Sequence, residues 1–383
     1  MPRSTIWTPP EDVPRPLYFV KTAYGFDEAM PLLNEDRLKH NKLALRETSI
    51  VFDTNVLIEI EQVVNEGNTA QTVQEHGLQP LVDLLRSPFA SDTSFSVGGA
   101  LREVPPSRVP DLKDAYERFV RTHLPRFADH PLAMQATLYQ PELRQTFAKL
   151  PKDAQVFFAV SYTSLLCLLK VLKSSEEKRP LEVFGAYLKS VILTLDLISL
   201  KEANIARWCI SPELNRDAGY MERRRRIRRN FCLLKSKRAP RNSDEAKAIA
   251  FNGACDLTLI DSTIVMDGRG FAGSKQDCWI ATFDEKLWEF CSAFHHVLTE
   301  QGTGAFGEID TAPSAEPNEF WAASALLLER IVAIRQNLLQ RRGGRQDEEE
   351  FSEKVLLKAV ESAEQAIERY YSKPVPAAAP GTT

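Results

Sequence analysis

The chain is poor in the signatures that most often betray a function. None of its 6 cysteines forms a C-x-x-C pair, which argues against a structural zinc site. Gly268-Arg269-Gly270 lacks the Lys-Ser/Thr that a phosphate-cradling loop requires and reads as a turn. No Ser-His-Asp or Cys-His arrangement has a local signature. The adjacent pair His295-His296 falls on a predicted strand, so the two rings face opposite ways and do not share a metal. Charge is nearly balanced, at a net of -4; any attraction to nucleic acid must come from a local patch. No apolar run approaches a membrane span. The most apolar helix, at 156–172, is interrupted by Ser161, Tyr162, Thr163 and Ser164 and reads as buried. Pro9, Pro10 and Glu11 stand where a signal peptide would need an apolar core. These absences lead to the expectation of a cytoplasmic protein with no membrane partner.

What is present is a globular composition with two acid-tipped strands. The chain has 383 residues, 43% hydrophobic and 26% charged, enough for one large domain or two ordinary ones around a packed core. In Ser49-Ile50-Val51-Phe52-Asp53-Thr54-Asn55 an apolar run ends abruptly in a carboxylate, and Val56-Leu57-Ile58 follows at once. That pattern predicts a buried parallel strand, a turn and a helix. The design recurs at Trp279-Ile280-Ala281-Thr282-Phe283-Asp284. Open α/β sheets place ligands at the carboxyl ends of their strands. Two like charges brought together there are costly unless a cation joins them.

The rest of the chain is read around these strands. Residues 1–48 form a lead-in with a helix predicted around Asp27 to Arg37. Helices are predicted at about 55–66 and 78–86, with a second strand at Ser94-Phe95-Ser96-Val97. Gly98-Gly99 opens a short helix carrying Glu103, which Pro105-Pro106 ends. From about 110 to 250 the apolar periodicity is helical, and Arg207 to Arg241 is rich in Arg and Lys. A strand at about 278–283, a helix to Phe294, a last strand at His295 to Thr299 and helices at 318–342 and 350–371 complete the reading. The tail after Lys373 is expected to be disordered. The expected division is therefore 1–48, an extension; 49–300, a core domain with a helical insertion at about 110–250; and 301–383, a helical extension.

At these positions the chain resembles the PIN-like nucleases. The resemblance is carried by Val51 to Ile58, by Ser96 and Glu103 after the second strand, by Cys255-Asp256-Leu257-Thr258-Leu259-Ile260-Asp261, and by Ile280-Ala281-Thr282-Phe283-Asp284-Glu285-Lys286-Leu287. It covers about 49–104 and 250–300 and leaves the stretch between uncovered. It implies a three-layer α/β/α fold with a central parallel sheet, Mg²⁺ or Mn²⁺ as cofactor, and in-line attack of a metal-activated water on an RNA phosphodiester. Hard divalent cations suit that chemistry because they prefer oxygen ligands, neutralise phosphate charge and activate water.

The implied metal ligands are Asp53, Glu103, Asp256 and Asp284. Each has a bland counterpart. Asp53 and Asp284 also suit helix capping, and Glu103 also suits a solvated pair with Arg102 or Arg108. Asp256 is expected at the start of a late helix, with Asp261 as its substitute on a different face. Asn55 and Thr282 are expected to support the ligands, Asn55 with a capping alternative and Thr282 with an ordinary strand alternative. Asp277 is excluded because it precedes its strand at the wrong end of the sheet. The cluster Arg223, Arg224, Arg225, Arg228 and Arg229 is a candidate contact for RNA phosphates, or else a solvated helix face.

The expectation is a metal-dependent endoribonuclease. Its rivals are a toxin-like or defence nuclease silenced by an inhibitory protein partner, and a non-catalytic RNA-binding or partner-binding module that shares the fold.

Overall fold

The computed structural model describes residues 15–25, 30–104, 106–125, 146–174, 178–213, 218–234, 238–270, 273–299, 302–308, 319–341 and 353–372. Its contacts divide the chain into two units: Met1–Arg144 with Leu259–Gly307, and Gln145–Thr258 with Glu308–Thr383. The expected helical insertion from Gln145 onward thus joins the C-terminal helices in one unit, while its first part and the lead-in join the other.

In chain order the first unit holds β1 (Tyr18–Val20), β2 (Ala23–Tyr24), α1 (Glu35–Leu43), β3 (Arg46–Phe52), α2 (Thr54–Asn65), α3 (Ala70–Glu75), α4 (Gln79–Arg86), β4 (Thr93–Ser96), α5 (Gly98–Glu103) and α6 (Val109–His123). The helical unit supplies α7 (Lys152–Lys173), α8 (Pro180–Leu195), α9 (Leu200–Ile210), α10 (Ala218–Phe231) and the start of α11 (Ser243–Arg269). The chain then returns with β5 (Lys275–Thr282), α12 (Glu285–Ala293), β6 (Phe294–Thr299) and β7 (Gly302–Glu308), and ends with α13 (Glu319–Arg341) and α14 (Glu353–Tyr371) in the helical unit.

The protein is mainly helical, with a small mixed 4-stranded sheet in the order β1-β5-β3-β4. This is an arrangement of the α/β class. β3 runs parallel to both β4 and β5, and β1 is antiparallel to β5. A separate 3-stranded sheet joins β2, β6 and β7. β3 and β5 carry buried apolar runs, Ile50 to Phe52 and Cys278 to Ala281, as strands covered on both faces do. Ile50 and Phe52 of β3 share one face with Trp279 and Ala281 of β5, and pack on Val56, Leu57 and Ile60 of α2 and on Phe119 of α6. Each such side chain contributes about 1.5–3 kcal/mol when fully buried.

From β3 the chain moves out to β4, and it later comes back to β5 on the other flank of β3. Connections that leave in opposite directions open a crevice at the carboxyl ends of adjacent strands. The carboxyl ends of β3 and β5 lie side by side, with β4 on the far flank of β3.

Several expectations change. The helix expected around Asp27 to Arg37 is α1, which begins at Glu35 behind an Asn34 cap whose side chain accepts the Arg37 N–H at 3.0 Å; residues 26–29 lie outside the described residues. α11 begins at Ser243, so Asp256 sits within a long helix and does not open one. Asp277 lies inside β5, paired in register with Thr48. The tail after Lys373 lies outside the described residues. Two helices, α7 and α11, are long and apolar enough to cross a membrane, contrary to the expectation that no run approaches a span; 67% of each apolar window is buried within the protein. α7 passes despite its four central hydroxyl residues because Leu165 to Leu169 is continuously apolar.

The helical unit is built around α9, in which every residue from Lys201 to Ile210 is buried. Its interior charges are compensated. Ser161 donates to the buried Glu202 carboxylate at 2.5 Å, Ser199 donates to it as well, and Arg207 donates to Ser324, Asn204 and the Trp321 carbonyl.

Candidate acidic site at the carboxyl ends of β3 and β5

β3 ends at Phe52, and Asp53 follows in extended conformation (φ -73°, ψ 153°) at the N-cap of α2. Its side chain makes no capping bond to that helix. It turns toward the neighbouring strand instead. The Thr282 hydroxyl donates to Asp53 Oδ2 at 2.5 Å, and Asn55 Nδ2 donates to the same oxygen at 2.5 Å. The backbone ladder runs through this point, with Asp53 N–H donating to the Ala281 carbonyl at 3.0 Å.

Thr282 is the hub. Its hydroxyl oxygen also accepts the Asp284 N–H at 2.9 Å and Asn55 Nδ2 at 3.2 Å. Asn55 Oδ1 in turn accepts the Phe283 N–H at 3.0 Å. Asn55 therefore clamps the turn after β5 onto the turn after β3. Asp284 directly precedes α12 and caps it, its Oδ1 accepting the Lys286 N–H at 2.8 Å. Asp53 and Asp284, 231 positions apart by their numbers (284 minus 53), are joined through one hydroxyl.

The electrostatics of the site are unbalanced. Burial pushes the Asp53 carboxyl above its ordinary value; the Thr282 hydrogen bond opposes this, and the neighbouring Asp284 charge adds to it. Among the described residues no Lys, Arg or His forms an ion pair with Asp53 or Asp284.

The opposite end of the same strands handles a buried carboxylate differently. Asp277 is fully buried. Arg37 holds it with two bonds, Nε to Oδ2 at 2.9 Å and Nη2 to Oδ1 at 2.8 Å, and Lys21 Nζ lies 2.9 Å from Oδ1. Asn41 Nδ2 and Trp279 Nε1 donate at 2.6 and 2.9 Å. Burial alone would raise this carboxyl, but the Arg37 hydrogen bonds and the Lys21 charge hold it well below the usual carboxylate range. Lys21 is shared with the buried Asp267, at 2.7 Å.

The other expected residues fall as follows. Glu103 ends α5, which follows β4; β4 is in parallel register with β3, Val51 opposite Ser96. α5 is tied to the site by the Thr54 hydroxyl, which donates to the Ala100 carbonyl at 3.2 Å. Asp256 belongs to the helical unit, where Asn230 Nδ2 donates to it at 3.4 Å. Asp261, further along α11, belongs to the unit that holds the sheet. The hydrogen bonds thus gather Asp53, Asn55, Thr282 and Asp284 into one cluster. Among the described residues no group of three or more His, Cys, Asp and Glu side chains is placed to hold a metal ion.

α10 presents a mixed face. Arg224 is buried, with Nε donating to the Ser211 carbonyl at 2.7 Å and Nη1 to Glu213 at 3.2 Å. It anchors the helix and does not face outward as the sequence reading has it. Arg223 lies over the Trp208 ring at 5.8 Å. Arg225 and Arg229 are exposed, and Arg225 pairs with Glu222. His295 is buried and stacks on Tyr24 with ring centroids 3.6 Å apart.

The ion network of Lys21, Arg37, Asp267 and Asp277 was not foreseen in the sequence, because its members are separated by up to 256 positions (277 minus 21). Thr54 carries a signal that sequence alone holds, a hydroxyl residue between Asp53 and Asn55. Comparison with protein-family models, with curated proteins and with solved structures finds no match to this chain.

Proposed function

We propose that this protein is a cytoplasmic, divalent-metal-dependent endoribonuclease with a PIN-like α/β/α core, and that the Asp53–Asp284 cluster is its active site. One observation carries the reading: the Asp53 carboxylate and the Asp284 backbone meet at the Thr282 hydroxyl, with no protein cation paired to either acid among the described residues. The oxygens nearest this point are those of the Asp53 carboxylate and the Thr282 hydroxyl, with the neighbouring Asp284 carboxylate accepting the Lys286 N–H through one oxygen. That set fits Mg²⁺ or Mn²⁺, which are commonly held by one or two carboxylates while keeping positions for water and substrate phosphate. A divalent ion bound there would neutralise phosphate charge and promote water for attack on the phosphodiester.

The chain's own residues would do the positioning. Thr282 fixes Asp53 Oδ2 and the Asp284 backbone with one hydroxyl, and Asn55 fixes the turn. Such supporting contacts orient ligands, and losing them commonly costs 10–100-fold in affinity or activity. Glu103 is the further ligand this reading assigns within the same unit, one helical turn beyond the Ala100 carbonyl that Thr54 holds. Arg225 and Arg229, exposed on α10, would meet RNA phosphates.

A second reading has its own support. Fewer than three metal-ligating side chains are grouped among the described residues, which suits a non-catalytic RNA-binding or partner-binding module. Cleavage of a structured RNA with Mn²⁺, compared between the wild type and Asp53→Asn, separates the two. The nuclease reading expects Mn²⁺-dependent cleavage that the substitution abolishes while the fold is retained. Equal cleavage by both proteins would reject the site, and RNA binding without cleavage would favour the module.

A further inference from the structure

The helical unit buries two thiols that the proposed chemistry does not use. Cys209 lies at the end of α9, and Cys232 directly follows α10. Cys232 Sγ donates to Cys209 Sγ at 3.4 Å, and both residues are free and buried. Cys232 is fixed to its helix, since its N–H donates to the Arg228 carbonyl at 2.8 Å. The two helices are already seated on each other elsewhere. Arg224 reaches the Ser211 carbonyl just past α9, and Arg223 covers Trp208. A disulfide has its sulfurs about 2.05 Å apart, so closing the present gap takes a movement of about 1.4 Å. Cys167, by contrast, has Ser190 and Thr194 as hydrogen-bond partners.

We propose that Cys209 and Cys232 form a redox-sensitive pair, cross-linked on oxidation by a hydroperoxide so that the carboxyl end of the arginine helix α10 is locked to α9. The steps balance. One thiol sulfur attacks the terminal peroxide oxygen and breaks the O–O bond, forming a sulfenic acid and releasing an alcohol, or water where the oxidant is hydrogen peroxide. The second thiol attacks that sulfur, forming the S–S bond, and the hydroxyl leaves with the second thiol's proton as water. The two sulfurs are oxidised by two electrons in all and the peroxide is reduced by two. Burial keeps the pair unreactive until the end of α10 opens locally, which makes the cross-link a response to sustained oxidant. The pair stands on the geometry of the helical unit alone, so it holds or fails independently of the acidic site.

The test uses the full chain, reduced and then exposed to hydrogen peroxide, quenched, denatured, alkylated and mapped by peptide mass. The expected product has Cys209 joined to Cys232, is lighter by two hydrogens, and reverts with dithiothreitol. Its melting temperature should rise by a few degrees, as expected for closing a loop across a separation of 23 positions. Cys209→Ser and Cys232→Ser should each keep the reduced fold by circular dichroism and lose both the cross-link and the thermal shift. Recovery of both residues as alkylated thiols, at peroxide exposures that oxidise glutathione, would overturn the proposal. So would linkage of either residue to a different cysteine, or a thermal shift that survives in either serine variant.

Discussion

Asp53→Asn should make the protein more stable while removing its proposed activity. In the wild type near neutrality the half-buried Asp53 carboxylate faces the Asp284 charge and has no ion-pair partner among the described residues. Its compensation is hydrogen bonding from Thr282 and Asn55 at 2.5 Å each. An asparagine keeps an acceptor oxygen for those donors and removes both the like-charge repulsion and the cost of burying a charge. The hydrogen bonds weaken from charge-assisted to neutral, a loss of about 1 kcal/mol each. The raised carboxyl nonetheless says that burial and Asp284 outweigh those bonds, so the balance favours the amide. Relief of this kind at a functional site commonly yields about 0.5–2 kcal/mol, or roughly 1–8 °C in Tm for a unit of this size. The sign with pH follows. A carboxyl whose folded pKa is raised contributes stability below its unfolded value, about 3.9, and that contribution is lost as pH rises through the folded value. The advantage of Asp53→Asn should therefore be largest near neutrality and vanish in acid. Mn²⁺ should reverse the order. Binding at about 100 times its Kd would stabilise the wild type by about 2.7 kcal/mol and leave the variant unmoved. Urea unfolding across the acid-to-neutral range, with EDTA or with Mn²⁺, gives every quantity needed. A variant less stable than the wild type near neutrality in EDTA would refute the electrostatic argument.

Three other perturbations probe different parts of the molecule. Thr282→Val removes the hydroxyl that serves Asp53 and the Asp284 N–H; it should cost about 1–3 kcal/mol and about 10–100-fold in cleavage, with Thr282→Ser restoring both, and failure of the serine to rescue would show that the hydroxyl is not the hub. Asp277→Asn removes the buried carboxylate that holds Arg37 and one of the two that Lys21 shares, and should cost about 3 kcal/mol by urea unfolding, a loss below about 1 kcal/mol arguing that the network adds no net stability. Arg225→Glu with Arg229→Glu should weaken RNA binding and flatten its salt dependence by about one unit of log–log slope per lost contact. Fluorescence anisotropy at several salt concentrations measures this, and an unchanged slope removes α10 from the interface.

The two acid-tipped strands were legible because their signal is local. Ile50-Val51-Phe52 and Ile280-Ala281-Thr282 are buried runs cut off by a polar turn, and β3 and β5 lie within a few residues of the expected limits. The register that brings Phe52 opposite Ala281 is not local, and only the fold supplies it. β1 and β2 were missed because 3 and 2 residues are too few to show a period. The start of β5 was placed late because Asp277 reads as a turn residue. It is tolerated inside a strand only because Arg37 and Lys21, far away in sequence, neutralise it. Two misreadings had cues that were present. Asn242 accepts the Glu245 N–H at 2.9 Å as an ordinary cap, so the early start of α11 was written in Asn242-Ser243-Asp244-Glu245. Arg224 shares the buried face of α10 with Tyr220, Ile227 and Phe231. That spacing marks it as inward-facing before any charge is considered.

The strongest argument for a bound cation comes from comparing the two ends of the sheet. Asp277 and Asp53 are both carboxylates of the β3–β5 pair; Asp277 is fully buried and Asp53 half-buried, and burial pushes both carboxyls up. At the amino end the chain supplies Arg37 and Lys21, and the carboxyl of Asp277 is driven down. At the other end it supplies a second acid and neutral donors, and the carboxyl of Asp53 is driven up. The sequence is able to neutralise a buried acid in this sheet, and it does so where the acid serves only the fold. Leaving Asp53 without such a partner costs stability, and that cost is understandable if positive charge arrives with a ligand at the carboxyl ends of β3 and β5. A cationic side chain placed beside Asp53 would then raise stability and block the site together. Thr54→Lys, at the position between Asp53 and Asn55, tests this. It should depress the Asp53 carboxyl, followed by NMR titration, and abolish the Mn²⁺-dependent stabilisation. Undiminished Mn²⁺ stabilisation in a folded Thr54→Lys protein would place the ion elsewhere.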